Sequence, residues 1–422
     1  MLLNFCFKNF MSFNETAEFS MLAPSTKVKN RFPDNFVKLD NGYDVQKTAV
    51  IVGENAGGKS NFVRSFDYFK KFFIENDAVI SREFTINSSN LADGCAKESN
   101  TKQQFFIEVT DEKYIFSYDL IFDFIGIVYE KLSCSTKKGK AEKLVFELKR
   151  EDENIDCDTE KCRDGKCSIK AQVKNKVNVG NGELLGIDKS VLEDNGIDRN
   201  VGLYVTKLAI LGCEKAIRFI NIMKNEICPE TYQINYDLYK TLMKEQDDLK
   251  ILKDPRYFEI FQLIDYSIKK IEINPEDPFM KTKIYRKGKD GRFFSRELSR
   301  DSSGVREFFA WAIQIFKVVY ENKVVLADEM DRVLNPILSD RVISYINGME
   351  HTGQFIFTSH NVLHLDLKNY MKEQIYFVTK SVETLESEIY SLAQFPEIRY
   401  ETSKVYEFYL KGILGGTASE EI

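Results

Sequence analysis

The run Gly53-Glu54-Asn55-Ala56-Gly57-Gly58-Lys59-Ser60 constrains this chain more than any other part of it. It follows the apolar residues Thr48-Ala49-Val50-Ile51-Val52, which read as a buried strand. It precedes a segment from Ser60 to about Ile74 in which Phe62, Phe66, Phe69 and Phe73 recur on one side of a helix. Strand, glycine loop and helix in that order make a cradle for phosphate. The glycines let the backbone curl so that its N–H groups converge on an anion, and the positive end of the helix faces the same place. Lys59 is expected to reach the β and γ phosphates, and Ser60 to offer its hydroxyl to Mg²⁺. The pattern therefore predicts ATP with Mg²⁺, held by Gly53, Glu54, Asn55, Ala56, Gly57, Gly58, Lys59, Ser60 and Asn61. The bland alternative, a glycine turn that binds nothing, does not require both flanking elements.

Two further segments suit the same chemistry. Val324-Val325-Leu326-Ala327-Asp328-Glu329 is an apolar strand ending in two acids. Alone such a pair is usually a solvated turn. Beside a phosphate loop, Asp328 is expected to hold Mg²⁺ and Glu329 to act as general base on the attacking water. Gln354-Phe355-Ile356-Phe357-Thr358-Ser359-His360 repeats the arrangement and puts His360 at a strand end, as a sensor of the γ-phosphate; a structural, hydrogen-bonded histidine is the competing reading. Glu329, His360 and Lys59 are the predicted catalytic residues.

Elsewhere, residues 3–9 alternate as a first strand, and residues 104–149 hold strand-like runs with acidic and lysine turns, an antiparallel sheet. Residues 150–200 are polar and turn-rich, and 203–272 are mostly helical in pattern, an arm or lid. A helix from Val305 to Glu321 precedes the acid strand, and another follows Pro336. The predicted class is α/β, with a mostly parallel core, an antiparallel β lobe and a helical insertion. The expected divisions are 1–149, 150–272 and 273–422.

With 422 residues, 43% of them hydrophobic, the chain can build a large core. A net charge of -6 argues against a globally basic nucleic-acid binder, though not against a local basic surface. No run approaches the roughly 18–20 apolar residues of a membrane span, and residues 1–8 lack the pattern of a signal peptide. A soluble, cytoplasmic protein with no membrane partner is expected. Cys157, Cys162 and Cys167 are evenly spaced, but not with the usual zinc spacing, and reduced thiols in a polar insertion are the expectation.

The wide separation of Lys59 from Asp328 requires a large insertion between the two halves of a nucleotide core. Here the chain resembles the ATP-binding-cassette branch that includes SMC and RecF-like ATPases, and within it the RloA- and AbiL-type ATPases of phage-defence loci. The resemblance is carried by Met1-Leu2-Leu3-Asn4-Phe5 with Lys8-Asn9-Phe10-Met11-Ser12-Phe13, by Glu18-Phe19-Ser20-Met21-Leu22-Ala23, by Leu298-Ser299-Arg300-Asp301-Ser302-Ser303-Gly304-Val305-Arg306, and by Tyr409-Leu410-Lys411-Gly412-Ile413-Leu414-Gly415-Gly416. It covers the first and last thirds and only loosely the middle. It implies that Ser302, Ser303 and Gly304 form a signature that closes over the ATP of a second copy, so that the chain acts as a homodimer or higher oligomer. A plain helix N-cap is the other reading of these serines. It further implies a D-loop at Leu334-Asn335 and a Q-loop at Gln103 or Gln104, with Gln104 as a metal ligand. The basic residue common in the N-terminal motif is replaced by Met11, and Glu307 stands where a basic residue is common after the signature.

Three roles follow for such an ATPase. The first is a switch in antiphage defence that controls a separately encoded effector, such as a TOPRIM or RloB-like nuclease; the chain carries no nuclease motif of its own. The second is a DNA-repair ATPase of the RecF or SMC kind, for which residues 203–272 are too short and interrupted to form the long coiled coil. A transporter subunit is the third, disfavoured by the large insertion. Lys137, Lys138, Lys140 and Lys143, and Lys281, Lys283, Arg286, Lys287, Lys289 and Arg292, are candidate nucleic-acid surfaces or simply solvated hairpins.

Overall fold

The computed structural model describes residues 1–24, 27–74, 102–122, 126–151, 174–180, 202–230, 246–330, 334–400 and 404–415. Its architecture is α/β, as expected. A six-stranded sheet runs in the order Ile227–Glu230, Val324–Ala327, Gln354–Ser359, Thr48–Gly53, Ile375–Lys380, Ser387–Ser391. Every pairing in it is parallel except the last. The strand that feeds the glycine loop is buried along its whole length, as a central parallel strand covered on both faces must be.

Alternation along that strand separates the two large apolar clusters among the described residues. Ala49 and Ile51 join one apolar cluster, Val50 and Val52 the other. The first cluster lies between the core sheet and a seven-stranded lobe, ordered Lys174–Val179, Lys143–Glu151, Ile127–Ser135, Ile115–Phe122, Gln103–Thr110, Leu2–Lys8, Ala17–Ser20 and antiparallel throughout. The helix Lys59–Ile74 is embedded there by its phenylalanines, with Phe66 stacked on Phe5 at 3.7 Å and Phe69 on Phe105 at 5.2 Å. Each such ring contributes roughly 1.5–3 kcal/mol by leaving water. Gln354 ties the two sheets together: its side chain accepts from Leu2 N at 2.6 Å and donates to Leu2 O at 2.9 Å. The second cluster is organised by the helix Ser303–Glu321, which buries Phe308, Phe309, Trp311 and Ile315.

Two described segments in the middle of the chain differ from their sequence pattern. Lys174–Val179, inside the polar stretch, pairs with Lys143–Glu151 and extends the lobe. Within the helical pattern, Ile227–Glu230 forms an edge strand of the core sheet, where Pro229 costs nothing because an edge has no second neighbour to satisfy. The described helices there are built into the body. Tyr204–Ile210 packs on the lobe through Tyr204 and Phe146, and Pro255–Phe261 packs against the Ser303 helix, with Tyr257 donating to Phe309 O at 2.7 Å. No helix among the described residues is long and apolar enough to cross a membrane.

Candidate functional site

The loop strand hands its chain to a tight curl. Gly57 N donates to Glu54 O at 3.2 Å, Ala56 adopts φ +61° and Gly58 φ +118°. Gly53 is required by its neighbour: a Cβ there would meet Val378 O at 2.2 Å. Lys59 is buried, and its ammonium donates to Gly53 O at 2.9 Å and Glu54 O at 2.8 Å. The ammonium thus lies within the curl of its own loop.

The acid strand does not adjoin the loop strand; the histidine strand lies between them. Two interstrand steps of about 4.8 Å set the acid strand roughly 10 Å from the loop strand. Thr358 organises the acid end. Its hydroxyl accepts from Glu329 N at 2.7 Å and donates to Asp328 Oδ1 at 2.8 Å. Glu329 has φ +50°, a left-handed conformation uncommon for a residue with a side chain and typical of functional sites. That turn carries its carboxylate to 3.8 Å from His360 Nε2. Asn55, Glu329, Leu334, Pro336, His360, Asn361 and Val362 line one open cleft of about 520 Å³, inside the range of small-molecule sites. Of the predicted residues, Asn55 of the glycine loop, Glu329 and His360 share this cleft, while Lys59, Ser60 and Asp328 do not line it. Ser60 and Asp328 offer only a hydroxyl and a carboxylate, hard oxygen donors that suit Mg²⁺ and leave it room for water.

Other predicted residues lie apart. Ser302 and Ser303 are exposed and Gly304 half-buried at the start of their helix, and none of them lines the cleft. Ser302 is an N-cap whose Oγ accepts from Val305 N at 3.4 Å. Asn335 likewise caps the helix Pro336–Gly348, accepting from Leu338 N at 2.9 Å, while Leu334 reaches the cleft. A glutamine loop is not what the structure has at Gln103 and Gln104. Both sit within a strand, Gln104 paired with Lys8 and Ile121 and exposed, because the lobe's antiparallel register continues through them. Gln103 instead donates to Asn9 O at 2.8 Å. The remaining histidines are structural. His364 is buried between Ser339 Oγ at 2.8 Å and Tyr370 OH at 3.0 Å, with burial pushing its pKa down to about 4. His351 bonds Ile346 O.

Three residues had no role in the sequence reading. Thr358 is one. Ser12 and Ser387 meet behind the phosphate loop, where Ser387 Oγ lies 2.7 Å from Gly57 O and 2.8 Å from Ser12 Oγ. Ser12 falls within a recognisable motif, whereas nothing around Ser387 marks it. Cys157, Cys162 and Cys167 lie outside the described residues, and no group of metal-binding side chains occurs among those described.

No family model matches this chain, and no curated protein matches it. Among solved structures it is similar to an SMC head bound to the C-winged helix domain of ScpA, at 14% identity over 92% of this chain and 97% of that one, TM-score 0.41. The SMC head domain from Thermotoga maritima is similar at 12% identity over 92% and 98%, TM-score 0.42. An SMC head with a coiled coil and joint from Pyrococcus yayanosii is similar at 13% identity over 97% and 99%, TM-score 0.41. Likeness at this level leaves function to the geometry of the site.

Proposed function

We propose that this protein binds ATP with Mg²⁺ and hydrolyses it, with Glu329 as general base. The observation that carries this reading is the convergence of Asn55, Glu329 and His360 on one cleft, the acid strand lying one strand removed from the glycine-loop strand. Lys59 binds the phosphates, Ser60 and Asp328 hold the cation, and His360 reports on the terminal phosphate. The exposed Ser302 and Ser303, with the half-buried Gly304, close over the nucleotide of a second copy, so that ATP joins two heads and hydrolysis parts them. The test is ATP turnover by the purified chain, beside the Glu329→Gln variant. Undiminished turnover by that variant would remove Glu329 from the mechanism.

The wider role we propose is control of a separately encoded effector, a TOPRIM or RloB-like nuclease, in antiphage defence. It rests on the resemblance of the terminal motifs. Co-purification with the product of the adjacent gene tests it. A second reading, a RecF- or SMC-like ATPase acting on DNA, is favoured by the hairpin Lys283–Lys287 and Phe293–Glu297. Its register pairs Lys287 with Phe293, Tyr285 with Ser295 and Lys283 with Glu297, which puts Lys283, Tyr285, Lys287 and Phe293 on one face together with the single acid Glu297. Phe293 on that face is 60% exposed, a ring suited to stacking a base beside a charged backbone.

A further inference from the structure

The peptide between Gly57 and Gly58 is gripped from behind by residues drawn from the two ends of the sequence. Gly57 O accepts from Ser387 Oγ at 2.7 Å, Ser387 Oγ lies 2.8 Å from Ser12 Oγ, and Ser12 Oγ accepts from Asn61 Nδ2 at 2.8 Å. Each hydroxyl has one proton to give. With Gly57 O taking that of Ser387, donation runs one way: Asn61 to Ser12, Ser12 to Ser387, Ser387 to Gly57. Both serines are buried, and the backbone locks them together, with Ser387 N donating to Ser12 O at 2.7 Å.

Neither serine is loosely placed. Ser12 follows a turn with Asn9 and Met11 in left-handed backbone, φ +56° and +50°, closed by reciprocal backbone bonds between Phe10 and Phe13 and pinned by the buried rings of both. Gln103 holds the Asn9 carbonyl, and Asn9 Nδ2 reaches Lys102 O at 3.3 Å. Ser387 heads the edge strand of the core sheet, and beside it Asn14 donates to Glu386 at 3.0 Å.

Planarity gives this grip a consequence. In a trans peptide the C=O and the following N–H point in opposite directions. Anchoring Gly57 O on Ser387 turns the Gly58 N–H to the far side of the peptide. A Cβ at Gly58 would lie 2.5 Å from Ser387 Oγ and 3.3 Å from Ser12 Oγ, so the absence of a side chain there is what allows the serines to approach.

We propose that Ser387 and Ser12 are positioning residues of the anion cradle, which set the plane of the Gly57–Gly58 peptide so that its N–H faces bound phosphate. Nucleotide affinity is thereby tied to the junction of the N-terminal turn with the C-terminal hairpin. The inference rests on the ATP reading, and its test separates the two. Ser387→Ala and Ser12→Ala, made in the full chain, are compared with the unaltered protein in binding of a fluorescent ATP analogue and of ADP, in steady-state kinetics, and in amide hydrogen exchange of the phosphate loop without nucleotide. One lost hydrogen bond corresponds to a weakening of about fivefold to tenfold. That loss is expected for ATP and ADP alike, falling on Kd and KM rather than on kcat, with faster exchange in the loop and a denaturation midpoint lowered by no more than the lost hydrogen bond accounts for. Unaltered loop exchange overturns the proposal even where no nucleotide binds. A loss shared equally by kcat, KM and the midpoint overturns it too, as plain destabilisation.

Discussion

Thr358 holds Glu329 in place from the neighbouring strand, accepting its amide at 2.7 Å while the same hydroxyl donates to Asp328 at 2.8 Å. One fully buried hydroxyl thus sets both the left-handed turn at Glu329 and the orientation of the adjacent carboxylate. Thr358→Val keeps the shape and removes both bonds. We expect it to cost about 1–3 kcal/mol of stability and to lower kcat roughly tenfold or more through misplacement of the base, with ATP affinity changed far less. Thr358→Ser should restore turnover. Phosphate-release kinetics and thermal melts check both.

Glu329→Gln preserves size and the amide bond to Thr358 and removes the base. Its kcat should fall by roughly 10²–10⁴. If ATP joins two copies, this variant should also accumulate as a dimer when ATP is present, read by light scattering. A monomer under saturating ATP would count against the trans role of Ser302, Ser303 and Gly304.

Lys59→Ala removes the buried ammonium bonded to Gly53 O and Glu54 O. Nucleotide binding should weaken by about tenfold or more, since a charge-assisted contact is worth roughly twice a neutral one. The fold should persist, because the helix Lys59–Ile74 is anchored by its phenylalanines. Calorimetric titration with ATP measures the first and circular dichroism the second.

A pH effect should arise away from the cleft. Glu130 is fully buried in the lobe and accepts from Tyr204 N at 2.7 Å, Val205 N at 2.9 Å and Tyr118 OH at 2.9 Å. Burial pushes its pKa up to about 7, above the ordinary 4.5, outweighing those three bonds. The folded state therefore binds this proton more tightly than the unfolded one. Its contribution is fully present below about pH 4.5 and is lost as pH rises to about 7, some 2–4 kcal/mol at 1.36 kcal/mol per unit. Glu130→Gln should flatten this slope, read as urea midpoints at pH 5 and pH 8.

The strand ends that carry the candidate site were legible in the chain. Gly53 to Ser60, Asp328, Glu329 and His360 each follow an apolar run, and such strands in a parallel sheet deliver their ends to the same edge. The buried face of the loop helix was readable from Phe62, Phe66, Phe69 and Phe73, because helical period alone aligns them. The edge strand Ile227–Glu230 was not, since four residues including a proline carry no period of their own. Nor could the sequence indicate that Gln103 braces a turn and Gln104 faces solvent, which depends on register with Leu2–Lys8.

By itself, then, the sequence determined a glycine-rich loop between strand and helix, two acids at the end of an apolar strand and an α/β class, because local spacing and hydrophobic alternation act within a few residues. Only the tertiary structure decided that the histidine strand separates loop from acids, that Thr358 turns Glu329 toward the cleft, and that Ser12 and Ser387 close behind Gly57. Those relations join residues far apart in the chain through strand order and single hydroxyl groups, and a lone serine or threonine carries no local signal of the partner it will meet.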